Sequence, residues 1–198
     1  MNDRPVLYSF RRCPFAMRAR WALLQAGLLV SWREIELRDK PEQMLEASPK
    51  GTVPVLVLGD DTVIDESLAV MHWAFSQGDP RDLCRQGSDD KQSCIRQLIE
   101  LNDTTFKHHL DRFKYTDRYP GESKQEHHRE GLALLRSWSQ RISDCGGWLV
   151  DAHCSLADGA IWPFVRQWRI ADSQGFDTDE ALRPLREWLS CFLHAPDF

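Results

Sequence analysis

The rhythm of apolar and polar positions changes once along the chain. In residues 1–77, short apolar runs alternate with helix-spaced ones. Pro5 to Phe10 reads as a strand. Phe15, Ala19, Ala22, Leu23 and Ala26 fall on one helical face, with Gly27 placed to end it. Ser31 to Leu37 reads as a second strand. Asp39 to Ala47 reads as a short helix, with Asp39 as N-cap and Glu42 three residues on. Val53 to Leu58 and Thr62 to Ile64 give two more strands around the Gly59-Asp60-Asp61 turn. Ser67 caps a last helix carrying Leu68, Met71, Ala74 and Phe75. The predicted order is β-α-β-α-β-β-α.

Gly78-Asp79-Pro80-Arg81-Asp82 is polar and turn-rich, so residues 78–87 read as a linker. Beyond it the strand signal vanishes. Ile95, Leu98, Ile99, Asn102, Phe106, Leu110 and Phe113 trace one helical stripe that tolerates a polar member. Leu135, Trp138, Ile142 and Cys145 trace another, ended by Gly146-Gly147. Ile161, Phe164, Val165 and Trp168 make a third, and Leu182, Leu185, Leu189 and Phe192 a fourth. Residues 88–198 are therefore expected to form an all-helical bundle.

Composition narrows the class. Hydrophobics at 42% and charges at 28% of 198 residues describe a folded protein, not a disordered one. The net charge of −5 and the lack of a basic half give no footprint for nucleic acid. No apolar run reaches the ~18 residues of a membrane span. Met1 to Pro5 leads straight into the first strand without the pattern of a secretion signal, so a cytosolic protein is expected. The six cysteines, Cys13, Cys84, Cys94, Cys145, Cys154 and Cys191, then read as free thiols. No Cys-x-x-Cys is present to make a zinc knuckle or a dithiol pair.

Three places could carry chemistry. Cys13 follows the first strand and precedes Pro14, a residue favoured at the first helical position. A sulfur there faces unpaired N–H groups and the positive end of the helix dipole, and Arg11, Arg12, Arg18 and Arg20 add charge. Such surroundings favour thiolate; the alternative is a small buried residue in a turn. Val53-Pro54 opens a strand where a proline cannot donate to the ladder. Either the bond is cis, exposing the Val53 backbone for pairing with an extended peptide, or a trans proline lies on an edge strand. Asp65-Glu66-Ser67 joins a strand to a helix start. It could grip the carboxylate and ammonium of an amino-acid end, or simply cap the helix. The pairs His108-His109 and His127-His128 are not expected to hold a metal. Adjacent helical residues point ~100° apart, so each pair offers one His per face. They read as solvated or helix-cap histidines.

Taken in order and spacing, Cys13-Pro14-Phe15-Ala16, Lys40-Pro41-Glu42, the run from Ser48 to Leu56 and Asp65-Glu66-Ser67 resemble the glutathione transferase superfamily. The first two motifs resemble its omega class. Ser155-Leu156-Ala157-Asp158 resembles the family's helical N-capping box, and Ile161-Trp162-Pro163-Phe164 its omega-type continuation. The resemblance covers most of the chain, while the stretch from Cys84 to Gly147 is generic. It implies a thioredoxin-like domain followed by a helical one, with glutathione as co-substrate and a homodimer as the assembly. It implies that Cys13 attacks or forms a mixed disulfide with glutathione, and that Val53, before Pro54, pairs with its cysteinyl backbone. Glu66 and Ser67 would hold the γ-glutamyl end, Lys40 the glycyl carboxylate, and Phe15 would wall the thiol. Trp162, Phe164 and Trp168 are candidates to line a pocket for a hydrophobic or disulfide co-substrate between the domains, or else core residues.

Ala16 stands where dithiol glutaredoxins carry a second cysteine, so glutathione must supply the resolving thiol. Tyr8 lies near the position of the catalytic tyrosine of other transferase classes, a role Cys13 displaces. Lys50 departs from the often small or apolar residue of the Ser-Pro-x-Gly turn. The leading expectation is an omega-like enzyme of thiol transfer, removing glutathione from mixed disulfides or reducing a dehydroascorbate-type substrate. The alternatives are a non-catalytic binding or regulatory protein on the same fold, and a metabolite-specific isomerase or degradative enzyme.

Overall fold

A computed structural model describes residues 4–195; Met1–Asp3, where the leader reading begins, and Pro196–Phe198 lie outside them. The chain divides into two compact units, Met1–Arg81 and Asp82–Phe198.

The first unit is a four-stranded mixed sheet with three helices. β1 (Val6–Ser9) leads to α1 (Pro14–Gln25), β2 (Ser31–Glu34) and α2 (Glu42–Ala47). β3 (Val55–Val57), β4 (Val63–Ile64) and α3 (Ser67–Gln77) follow. The strand order is β2-β1-β3-β4. β1 pairs parallel with β2 and antiparallel with β3, placing Leu7 opposite Leu56 and Tyr8 opposite Val55. This is the expected β-α-β-α-β-β-α thioredoxin-like order. Leu7, Tyr8, Val55 and Leu56 are buried in the sheet, and Ala16, Ala19, Ala22 and Leu23 are buried on α1. The small residues let α1 lie close against α3.

α1 ends as its glycine predicts. Gly27 takes φ +69°, its N–H donates to the Leu24 carbonyl, and the Leu28 N–H donates to the Leu23 carbonyl. That is a Schellman ending. The strands are shorter than in the sequence reading, β2 ending at Glu34 rather than Leu37, and three element starts differ for a local reason. α2 begins at Glu42 rather than Asp39, with Pro41 at the cap position. A residue before proline is driven out of the helical region, so Lys40 cannot belong to a first turn. β3 begins after Pro54, which has no N–H for the ladder. α3 is capped by Glu66, and Ser67 is its first residue rather than its cap.

The second unit is helical: α4 (Asp89–Leu101), α5 (Lys107–Lys114), α6 (Lys124–Asp144), α7 (Leu156–Ala171), α8 (Ser173–Thr178) and α9 (Arg183–Leu193). The polar member of the first stripe, Asn102, opens a five-residue π-helical turn that joins α4 to α5. α8 escaped the sequence reading because its six residues, Ser173 to Thr178, include one apolar anchor, the buried Phe176. Trp138, Trp162, Trp168 and Trp188 are buried with Phe106, Phe164 and Phe176. Trp162 stacks on Phe192 at 5.2 Å, and Trp168 packs on Phe113 at 4.8 Å. The Trp168 ring occupies the space a Cβ on Gly131 would need, so this glycine is set by close approach.

Asp158 ties this core together. It forms the expected capping box with Ser155 at the start of α7. Its Oδ2 accepts from the Ser155 N–H at 2.8 Å and the Ser155 hydroxyl at 2.5 Å. Its Oδ1 accepts from the Leu149 N–H at 2.9 Å and the Trp188 indole N–H at 2.8 Å. Burial pushes the carboxyl pKa up, against the four donors that favour the ion. Removing the side chain strands several buried donors at once. Asp158→Ala is expected to lower unfolding stability by ~3–5 kcal/mol, and Asp158→Asn, which keeps one acceptor oxygen, by less. Urea unfolding with unchanged slope checks this; equal losses for both variants would show that the single oxygen kept by Asn retains none of the stabilisation.

Candidate functional site

The site is built where β1 turns into α1. Cys13 holds extended backbone, φ −78° and ψ 121°, as N-cap of α1, and Pro14 opens the helix. The Cys13 carbonyl takes the first helical bond, from Met17 N–H at 2.9 Å. Its thiol is partly buried and donates to the Val53 carbonyl oxygen at 3.7 Å. The Val53-Pro54 bond is cis. Val53 is buried in one cluster with Tyr8, Ala16, Ile35, Met44 and Val55, and Cys13 packs against that cluster. Tyr8 therefore serves as core, 4% exposed, with the Arg33 guanidinium 5.7 Å from its ring centre.

Two arginines that the sequence offered as general positive charge have specific work. Arg20 is buried, and its guanidinium donates to the Ser9 hydroxyl at 2.8 Å, the Phe10 carbonyl at 3.4 Å and the Arg11 carbonyl at 3.1 Å. These acceptors are the residues that lead into Cys13. Burial pulls the Arg20 pKa down, and Glu34 opposes that pull. Arg18 is also buried and donates from Nε to the Ser67 hydroxyl at 3.0 Å. The same guanidinium lies 5.2 Å from the Phe15 ring centre. The signal for both was legible: two charges on a helix whose other faces are apolar need internal acceptors.

The remaining candidates gather around the turn before Val53. Gly51, at φ +60°, faces the side chains of Lys40 and Leu45. Lys50 donates to Glu66 at 2.7 Å and to Asp65 at 3.1 Å. It thus occupies the acidic pair with an ammonium of the chain's own. So Cys13 meets Val53; Phe15 and Ser67 share Arg18; Lys40 and Lys50 flank Gly51; and Lys50 reaches Glu66.

Trp162, Phe164 and Trp168 do not join these residues. Each is 0% exposed and forms core in the helical unit. Of the two readings left open for them, core packing is the one these burials support: helix α7 has buried residues around most of its circumference. The histidine reading is corrected. His109 and His127 meet at 2.9 Å between Nδ1 atoms, and the His108 ring lies 5.4 Å from that of His127. Neighbours ~100° apart on α5 both reach a third ring supplied by α6, which a one-helix argument cannot foresee. His128 instead stacks on Trp168 and contacts Asp172 at 2.7 Å. All six cysteines are free.

Asp65 gives the site a measurable pH signature. It accepts from the buried Ser48 hydroxyl at 2.7 Å. Ser48, and then Lys50, hold its carboxyl below the usual aspartate value. A lowered folded value stabilises the fold above the unfolded value of ~3.9, and this is lost as the pH falls through the folded value. Ser48→Ala is therefore expected to lose Tm less steeply than wild type between about pH 5 and pH 2. Equal acid slopes would show that Ser48 does not set this titration.

The comparisons with known proteins agree with this geometry. Residues 7–81 match the family model "Glutathione S-transferase, N-terminal domain". The chain is 27% identical over 164 residues to glutathione S-transferase omega-1 of Rattus norvegicus, covering 81% of this chain and 66% of that one. It spans 66% or less of the length of the omega-1 transferases of Rattus norvegicus and Sus scrofa and of transferase U22 of Arabidopsis thaliana. Among solved structures it shares its fold with glutathione transferase Omega 3C of Trametes versicolor, with a TM-score of 0.81 at 20% identity, over 100% of this chain and 88% of that one. It also matches transferase URE2P6 of Phanerochaete chrysosporium, solved with oxidized glutathione, with a TM-score of 0.83 at 17% identity, over 99% of this chain and 93% of that one. Among the described residues no helix is long and apolar enough to cross a membrane. Residues 7–81 are therefore a glutathione S-transferase N-terminal domain, and the chain is similar to omega-class transferases at low identity.

Proposed function

We propose that the chain is a glutathione-dependent thiol transferase that works through Cys13. The observation that carries this reading is the Cys13 thiol at the first turn of α1, hydrogen-bonded to the Val53 carbonyl. It sets a nucleophile beside the backbone on which the resemblance seats the cysteinyl part of glutathione. In this reading Val53 pairs with that backbone, Glu66 and Ser67 hold the γ-glutamyl end, Lys40 meets the glycyl carboxylate, and Phe15 walls the sulfur. The named omega relative and the fold neighbour solved with oxidized glutathione support it. A homodimer is part of the same proposal.

The chemistry takes two exchanges. The Cys13 thiolate attacks the glutathione sulfur of a mixed disulfide; a new S–S bond forms, the old one breaks, and the substrate leaves as thiolate. A second glutathione thiolate then attacks the glutathionyl sulfur on Cys13, releasing oxidised glutathione and restoring the Cys13 thiolate. The substrate gains two electrons and a glutathione pair loses them. Ala16 offers no internal resolving thiol, so the second step is intermolecular. With a dehydroascorbate-type substrate, the Cys13 thiol and one glutathione would supply the two electrons and be left as the Cys13–glutathione disulfide, which a second glutathione resolves.

Incubation with oxidised glutathione should add one glutathione to wild type and none to Cys13→Ser, read by intact mass. Cys13→Ser should also lose thiol transfer by about 100-fold or more. Unchanged transfer, or adducts spread over several cysteines, would remove Cys13 from this role. A chain that binds no glutathione at all would be a binding or regulatory member of the superfamily instead. A second prediction concerns Lys50, whose ammonium sits where Glu66 would receive the ammonium of glutathione. Lys50→Met should tighten glutathione binding by about 2- to 5-fold at low salt, with the gain shrinking as salt rises. Weaker binding in Lys50→Met would show that Lys50 assists the ligand rather than competing with it.

A further inference from the structure

We infer that His108, His109 and His127 form a binding site for a divalent transition-metal ion of the zinc class, outside the glutathione site. One ligand atom from each ring lies within 4.8 Å of the other two. His108 and His109 come from the first turn of α5 and His127 from the first turn of α6, so an ion held here would tie the two helices together.

The side chains around the three rings fix which nitrogen is offered. His127 is buried, and its Nε2 lies 2.9 Å from a Glu122 carboxylate oxygen. A carboxylate only accepts, so the Nε2 carries the proton and the Nδ1 keeps its lone pair. That Nδ1 points at His109 Nδ1, 2.9 Å away. Glu122 is itself held by Arg112, whose Nε donates to the same oxygen at 2.7 Å. A carboxylate that takes the far N–H of a ligating imidazole is the usual outer partner of a histidine metal site.

The distances suit an ion. Tetrahedral ligands at ~2.0–2.1 Å from zinc stand about 3.3 Å apart. The His109–His127 pair is already near that spacing, and His108 is exposed and free to swing inward. In the metal-free protein the His109 Nδ1–H donates to His127. Binding replaces that proton with the ion, and the proton moves through solvent to His109 Nε2, so no net proton is released. Three imidazoles leave one position, open to water on the exposed His108 side. Imidazole ligands suit zinc, cobalt, nickel and copper and disfavour magnesium and calcium.

Cobalt titration of the full, chelator-stripped chain tests the site, because thiolate ligation adds an intense near-ultraviolet band that nitrogen ligation lacks. The expected result is one Co²⁺ per chain with visible d–d absorption and no such band, displaced by Zn²⁺. His108→Ala, at an exposed position that leaves the fold intact, should weaken binding by about 10-fold or more, and Glu122→Ala by about 10- to 100-fold. Zinc should raise the Tm of wild type and not of His108→Ala. Absent binding, a thiolate band, or a His108→Ala titration equal to wild type would overturn the site. None of these readouts depends on glutathione, so the site stands or falls apart from the thiol-transfer reading.

Discussion

The candidate site depends on a buried cation below the turn that carries Cys13. The Arg20 guanidinium spends its donors on Ser9, Phe10 and Arg11, the residues between β1 and the N-cap. A charge so placed is tolerated only while its hydrogen bonds are complete. The turn is therefore not free to relax away from Arg20, and Cys13 inherits a fixed position over Val53. Glu34, at the end of β2, accepts from the Arg11 N–H at 2.6 Å and holds the same turn from its outer side. Strand, helix and neighbouring strand thus converge on Ser9, Phe10 and Arg11, and only Arg12 separates them from the residue that carries the thiol.

The helical unit uses the same device with the sign reversed. Asp158 is a buried carboxyl whose four donors come from Ser155 at the N-cap of α7, Leu149 in the loop ahead of it and Trp188 on α9. Arg85, buried at the start of this unit, chelates Asp151 through two bonds of 3.0 Å and also reaches the His153 and Cys154 carbonyls. In each case a charge that would be costly alone is matched by donors or acceptors from several segments, which makes the arrangement specific as well as stable. The capping motif at Ser155-Asp158 was legible for this reason: its function is local, and the spacing of two residues states it.

What the sequence made legible follows that division between local and distant causes. Strand alternation, the Gly27 ending and the Cys13-Pro14 helix start depend on near neighbours, and the structure has them. The start of α2 was misplaced because a capping pattern at Asp39 was weighed above the steric rule for Lys40 before Pro41. Lys50 could not be interpreted, since its partners lie 15 and 16 residues away. Trp162, Phe164 and Trp168 of α7 stayed open between pocket wall and core because an aromatic stripe looks the same whether it meets a ligand or Phe192. The histidines were dismissed on the geometry of one helix, and it is the second helix that brings them together.

The site then separates into a fixed part and an exchangeable one, and the separation has a chemical logic. Val53, Ser67 and Arg18 are buried; Arg18 donates to Ser67, and the Cys13 thiol is seated against the Val53 carbonyl. That is the part in which an error of an ångström would misalign an attacking sulfur. Glu66, Lys50 and Thr52 are exposed, and the Lys50–Glu66 contact is a surface ion pair in water. Such a pair is held weakly and is screened by salt, so an incoming ammonium can take the place of Lys50 without disturbing the buried set. Under the proposed thiol-transfer reading, the buried part would hold its geometry where bonds are exchanged, and the exposed part would yield where a charged end is received. Burial, more than residue type, is what assigns each side chain to one part or the other.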